Sequence, residues 1–98
     1  MEYQIQVAKE AEKDLSIAIC HYKISGLERE FIEDFLYQIS YLKSNPHLFQ
    51  IRYRNVRKLH FNVFNYSIHY LIKGNIVYIL RILSHRQEYL NKPNALKK

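Results

Sequence analysis

The sequence predicts an α+β domain in which a helical hairpin covers one face of a mainly antiparallel four-stranded sheet, in the order β-α-α-β-β-β. Three observations carry that reading. Residues Phe64, Tyr66, Ile68, Tyr70 and Ile72 share one parity, and Asn65, Ser67, His69, Leu71 and Lys73 share the other, as in a strand with one face in the core and one half wet. Lys73-Gly74-Asn75 then interrupts the pattern as a hairpin turn before a second, nearly all-apolar arm, Ile76 to Leu83. Residues 8–43 instead repeat their apolar positions every three or four residues, the period of helices packed on a sheet.

In chain order, Tyr3, Ile5 and Val7 alternate with Glu2, Gln4 and Gln6, which predicts a short half-buried strand whose partner the periodicity leaves open. From Ala8 to about Ile24, the residues Ala11, Leu15, Ala18, Ile19 and Tyr22 form the core stripe of a first helix. Ile17, Cys20 and Ile24 make a second apolar line on nearly the opposite side, for which the next helix is the favoured cover, a partner chain or no cover at all being the alternatives. Ser25-Gly26 ends that helix. A second helix from about Leu27 to Lys43 follows, with its stripe at Leu27, Phe31, Phe35, Ile39 and Leu42, broadened by Ile32 and Leu36. Asn45-Pro46 stops it, because the residue before proline avoids the helical region. Ile51 to His60 reads as one strand, followed by a tight connection near residues 61–63 and the two arms described above.

A length of 98 residues suits one hydrophobic core, so residues 1–93 are expected as a single domain and 94–98 as a short basic tail. The net charge of +6 is unevenly spread. Residues 1–49 carry five Lys/Arg against eight acids, a net −3, and residues 50–98 carry ten against Glu88 alone, a net +9. That contrast follows the switch from helices to strands and predicts a sheet side that attracts polyanions or an acidic partner. The single Cys20 excludes an internal disulfide, and no apolar run approaches the roughly 18 residues that span a bilayer. MEYQIQV has no signal-peptide character, so the cytoplasm is the expected compartment and no membrane partner is expected.

Gly26 and Gly74 are the only glycines, which excludes a glycine-rich phosphate loop, and there is no Cys pair or HExxH helix for zinc. His21, His47, His60, His69 and His85 match no metal spacing, so neither metal nor cofactor is expected. Cys20 has only His21 as a basic neighbour in sequence and reads as packing. What remains is a basic group on the strands, Arg54, Arg57, Lys58, His60, Arg81, His85 and Arg86, interleaved with Tyr53, Tyr66 and Tyr70. Guanidinium groups grip phosphates and tyrosines stack on bases, so this surface suits single-stranded RNA. Cutting RNA without a metal needs a base, a cation for the phosphorane-like transition state and an acid for the leaving oxygen. His85 fits the acid or base role, and Arg57 and Arg81 the cation. The structural alternative makes Arg81 the solvated end of a strand and His85 a cap.

The order of elements and the stretch RKL…FNYSIHYLIKGNIVYILRILSHR are similar to the RelE/ParE superfamily of bacterial toxins. The residues that carry the resemblance are Arg57, Phe64-Asn65-Tyr66, Ile68 and Tyr70, then Ile79, Ile82, His85 and Arg86 after the hairpin, with Asn45-Pro46 at the end of the second helix. Asn65 stands where a proline is usual, and no Pro-Trp follows His85-Arg86. The resemblance implies the toxin of a type II toxin–antitoxin module, neutralised by a small acidic cognate antitoxin that wraps around it. RelE-like members cut mRNA on the ribosome and ParE-like members poison DNA gyrase; the wording here is closer to ParE-like and plasmid-stabilisation sequences. The implied assignments are Arg57, Arg81 and His85 as catalytic if the chain is a metal-independent ribonuclease, Arg54, Lys58, Tyr66 and Arg86 as target-binding, and Ile17, Cys20 and Ile24 as antitoxin-binding. The alternative is a non-toxic or degenerate module of the same fold that holds RNA or an acidic peptide on its basic sheet.

Overall fold

Phe31 lies at the centre of the core, wholly buried, with its ring stacked on Tyr22 and Phe61 at 5.1 and 5.2 Å and edge-on to Phe64 and Tyr66 at 5.3 and 5.2 Å. Those partners come from two helices and the sheet, joined as follows in the computed structural model, which describes residues 2–91. Strand β1 (Gln4–Val7) leads into α1 (Lys9–Ile24) and α2 (Glu28–Ser44). A 3-10 turn (Pro46–Leu48) leads to β2 (Ile51–Tyr53), β3 (Val56–His60), β4 (Tyr66–Lys73), β5 (Ile76–Ser84) and α3 (His85–Asn91). The expected tail, 94–98, lies outside the described residues.

The α+β architecture agrees with the sequence reading, but the sheet has five strands, in the order β1-β5-β4-β3-β2. The expected strand Ile51 to His60 is two strands, because Arg54 and Asn55 both take positive φ (43° and 66°) between the paired Tyr53 and Val56. Two consecutive residues in that region make the two-residue turn whose twist matches a hairpin, here without a glycine to announce it. β1 pairs in parallel with β5, Gln4 opposite Ile76 and Val7 opposite Ile79, and every other pair is antiparallel.

Local chemistry explains the boundaries. Gly26 takes φ +74°, its N–H donates to the Lys23 carbonyl, and Leu27 N–H donates to the Tyr22 carbonyl at 2.9 Å, closing the end of α1 with a Schellman motif. Gly74, at φ +58°, is the first residue of the two-residue β4–β5 turn. β5 carries a bulge: Arg81 sits opposite His69 and Ile79 opposite Tyr70, leaving Leu80 unpaired. Ile79 and Ile82 have opposite parity yet are both buried, and the extra residue is what returns both to the core face. Ala11 and Ala18, fully buried on α1, let that helix approach the sheet closely.

Two further expectations are corrected. The second face of β4 is wet only towards its ends, where Asn65 and Lys73 are exposed and Leu71 partly so, whereas Ser67 and His69 in its middle are as buried as core residues. Helix α3, absent from the predicted order, packs over that face. It starts with a capping box in which Ser84 Oγ accepts the Gln87 N–H at 3.1 Å and Gln87 Oε1 accepts the Ser84 N–H at 2.8 Å. Nor does α2 cover the second apolar line of α1. Ile17 is 65% exposed and Ile24 89%, and Cys20 is exposed with them. The core stripe Ala11, Leu15, Ala18, Ile19 and Tyr22 already turns α1 towards both the sheet and α2, which leaves the opposite side unpartnered.

Candidate functional site

The face of the sheet away from α1 and α2 carries a connected polar group built from β3, β4 and α3. Lys58 and His60 of β3 sit opposite His69 and Ser67 of β4. Glu88 of α3 reaches down between them: its carboxylate accepts from Lys58 Nζ at 2.6 Å and lies 3.3 Å from His69 Nε2. On the far side of the imidazole, Tyr53 Oη lies 3.1 Å from His69 Nδ1. Burial pushes the His69 pKa below its ordinary value, and Glu88 opposes this without reversing it, because its charge is already met by Lys58. A neutral ring beside a carboxylate must present its proton there, so Nε2 donates to Glu88 and Nδ1 accepts from Tyr53. Burial alone would raise the Glu88 pKa, but the hydrogen bond and charge of Lys58, helped by Ser67 and His69, bring it below the usual carboxylate value.

Beside this closed group is an open one. His85, exposed at the start of α3, places Nε2 3.2 Å from His60 Nδ1, with the two rings nearly perpendicular and 5.2 Å apart. The same His60 nitrogen lies 2.7 Å from Ser67 Oγ. His60 as a whole is exposed, but its Nδ1 side rests on the buried serine, and burial followed by the charges of Lys58 and His85 lowers its pKa. Two imidazoles in contact at the surface have the chemistry of an acid–base pair.

The cations expected to complete such a site are elsewhere. Arg81 makes a two-point contact with Asp14 of α1, Nε to Oδ2 at 2.7 Å and a terminal nitrogen to Oδ1 at 3.1 Å. Asp14 Oδ2 also accepts the Ile82 N–H at 2.9 Å, closing the edge of β5 beyond Val7, where β1 has ended. The Asp14 hydrogen bond raises the Arg81 pKa further. Arg57 donates to the backbone carbonyls of Phe49 and His47, and its cross-strand neighbour Tyr70 donates to the Pro46 carbonyl at 2.7 Å. Together they pin the segment between α2 and β2. Burial holds the Tyr70 hydroxyl at a pKa of about 12, so it remains a donor throughout the physiological range. The structure therefore brings His85 to His60, but brings neither Arg57 nor Arg81 into contact with that pair.

The target-binding candidates also separate. Arg86 lies exposed on the first turn of α3, Arg54 occupies the exposed β2–β3 turn, and Lys58 is committed to Glu88. Tyr66 belongs to the aromatic cluster around Phe31, under the helices. Asp34 was missed by sequence reasoning. Only 7% exposed in the middle of α2, it accepts the N–H groups of Asn62, Val63 and Phe64 and the amide of Gln38. Those bonds outweigh burial and lower its pKa. An acid in the middle of a predicted apolar helix face is the signal that marks it. Among the described residues, no group of three or more His, Cys, Asp or Glu is placed to hold a metal ion, and no helix is long and apolar enough to cross a membrane.

The polar group makes stability depend on pH in a fixed direction. With the His69 and His60 pKa values below 6.5 in the folded chain, the unfolded chain takes up protons first as the solution is acidified. Stability is then full above pH 6.5 and falls as the pH drops through the folded values. Glu88 and Asp34, below their ordinary 4.5 and 3.8, continue the loss with the same sign at lower pH. Thermal unfolding is expected to show a midpoint that declines from about pH 6.5 downward, with His69→Gln flattening the upper part of that decline. A midpoint that rises on mild acidification contradicts the neutral assignment of His69.

The family described as "ParE toxin of type II toxin-antitoxin system, parDE" matches residues 5–89. No curated protein sequence matches the chain. Among solved structures, the chromosomal ParDE toxin–antitoxin system of P. aeruginosa is similar, with a TM-score of 0.74 at 21% identity over 85% of this chain and 96% of that one. The E. coli DinJ–YafQ toxin–antitoxin complex gives 0.59 at 13% identity over 88% and 96%. The conserved hypothetical protein HP0894 of Helicobacter pylori gives 0.59 at 15% identity over 88% and 98%. At such identities these likenesses speak to the fold.

Proposed function

Because this chain belongs to the ParE toxin family of type II toxin–antitoxin systems, we propose that it arrests bacterial growth by docking on DNA gyrase, and that a small acidic cognate antitoxin silences it. The observation that carries the docking reading is the engagement of Arg57 and Arg81, the two cations expected to stabilise charge at a reacting phosphate. Metal-free cleavage of RNA needs an available positive charge at the reacting phosphate. Arg81 is tied to Asp14 and Arg57 to backbone carbonyls, so both serve the fold. The unpartnered line Ile17, Cys20 and Ile24 on α1 supports a partner that contributes an apolar surface, and the +9 half supports an acidic one. The cytoplasm, where gyrase and antitoxin meet the chain, is the corresponding compartment.

A second reading, ribosome-dependent cleavage of mRNA, is favoured by one contact, that between His60 and His85. The two readings separate on substitution. Induced expression of the unmodified chain is expected to stop growth, with DNA supercoiling affected before protein synthesis. His60→Ala with His85→Ala is expected to leave that arrest in place. Loss of toxicity in the folded double variant, together with mRNA cut on ribosomes in the parent, would establish cleavage instead. Growth unimpaired by soluble chain would remove the toxin reading altogether and leave the non-toxic binding module.

A further inference from the structure

Tyr53, the last residue of β2, is 51% exposed, yet its hydroxyl meets a buried base. Oη lies 3.1 Å from Nδ1 of His69, which is 5% exposed, and His69 Nε2 lies 3.3 Å from the Glu88 carboxylate. Hydroxyl, imidazole and carboxylate in that order form the arrangement that activates a nucleophile: an accessible oxygen, a base within hydrogen-bond reach, and a third group that orients the base. With Nε2–H donated to Glu88, the lone pair of Nδ1 is aimed at the phenolic proton. The charged and titratable groups facing the ring are Glu88 of α3, Lys58 of β3, Arg81 of β5 and Tyr53 itself. Fastening β2 to the sheet calls for no more than a carbonyl acceptor, whereas this hydroxyl meets a base that solvent barely reaches.

We propose that Tyr53 is a nucleophilic phenol that takes an acyl group from an activated ester or thioester, with His69 as its general base and Glu88 positioning the ring. Oη bonds to the carbonyl carbon and the phenolic proton passes to His69 Nδ1. The bond from that carbon to the leaving oxygen or sulfur then breaks, and the proton leaves His69 with the departing group. Nothing is oxidised or reduced. Glu88 balances the imidazolium formed in between, a charge that a buried ring bears poorly without a partner. The acyl class follows from the surrounding cations. Lys58 is held by Glu88 and Arg81 by Asp14, and a carbonyl centre gathers less negative charge than a phosphoryl one. Neither gyrase nor an antitoxin enters this chemistry, so it stands apart from the toxin reading.

The test is acetylation of the full chain by p-nitrophenyl acetate, with each modified residue located by mass mapping of peptides over time. Two tyrosines of the same chain are controls. Tyr37 is 57% exposed, with no imidazole bonded to it among the described residues, and Tyr70 is wholly buried, so it is labelled only if the chain unfolds. Tyr53 is expected to react about a hundredfold faster than Tyr37 at neutral pH, the lower end of what a positioned base supplies. Its rate is expected to stay level from about pH 7 to about pH 9, whereas an unassisted phenol climbs about tenfold per pH unit as phenolate forms. Glu88→Gln keeps an acceptor for Nε2–H but drops the charge, and is expected to slow Tyr53 about tenfold. His69→Gln is expected to bring Tyr53 to the rate of Tyr37, with Tyr70 unlabelled. Equal rates at Tyr53 and Tyr37 in the unmodified chain, a steady climb with pH at Tyr53, or a Tyr53 rate untouched by Glu88→Gln would each overturn the proposal. If His69→Gln exposes Tyr70, the comparison within the unmodified chain still decides.

Discussion

Phe31→Ala lowers the stability of the folded chain by about 4 kcal/mol, the range expected when a wholly buried aromatic ring is truncated in a packed core. Its ring joins Tyr22 of α1 to Phe61, Phe64 and Tyr66 of the sheet, so the loss falls on the contact that holds the helical hairpin to the strands. Those partners are themselves rigid rings, and they cannot collapse into the space without leaving their rotamers. Thermal or denaturant unfolding measures the effect, with a midpoint lower by well over about 10 °C. A loss under about 1 kcal/mol would mean that the helices are held chiefly by other contacts. Phe31→Leu, which keeps most of the volume, is expected to recover part of the loss.

Asp34→Ala is the second large effect, about 3 kcal/mol, and its cause is polar. The carboxylate receives the N–H groups of three successive residues, Asn62, Val63 and Phe64, and so organises the β3–β4 connection from 28 residues away. Removing it leaves those donors without their acceptor in a site that is 7% exposed. Asp34→Asn keeps one acceptor oxygen but turns an amide donor towards other donors, so an intermediate loss is expected. Exchange of the Val63 amide reports the local part of the effect, and acceleration there is expected in both variants. Unchanged protection at Val63 in Asp34→Ala would contradict the assigned role.

These two residues mark how far the sequence is legible. Phe31 announces itself, because its helical spacing with Leu27, Phe35, Ile39 and Leu42 defines a face, although Leu27 proves 40% exposed. The alternation through β4 and the Gly26 and Gly74 turns are read in the same local way. Asp34, Asp14 and Glu88 are not readable like this. Each works by meeting groups that are distant in sequence, Asp14 reaching Ile82 and Arg81, and Glu88 reaching Lys58 and His69. Periodicity carries no information about such pairs. It also leaves open the partner of β1, since parallel pairing with β5 depends on the path of α1 and not on the strand itself.

Other differences had local signals that were outweighed. Ser84 and Gln87 stand at capping-box spacing, yet a strand ending in His and Arg invites a functional reading before a structural one. Arg81, set in an apolar strand, looked available for chemistry, and the structure gives it Asp14. At the β2–β3 turn, Arg54 takes positive φ, which few non-glycine residues do, so composition gave no warning that the strand breaks there. Of the candidate site, His85 and the exposed line of α1 emerge as accessible groups, whereas Arg57, Arg81 and Tyr66 emerge as parts of the fold.

The proposed toxin binds its target through a surface instead of cutting a substrate. The most direct measurement is the supercoiling of relaxed plasmid by purified DNA gyrase as this chain is added. The docking reading predicts that supercoiling falls as the chain approaches the gyrase concentration, and that the His60→Ala, His85→Ala double variant inhibits equally. Supercoiling that proceeds unchanged at excess chain, while the same preparation cuts mRNA on ribosomes and the double variant does not, would contradict it.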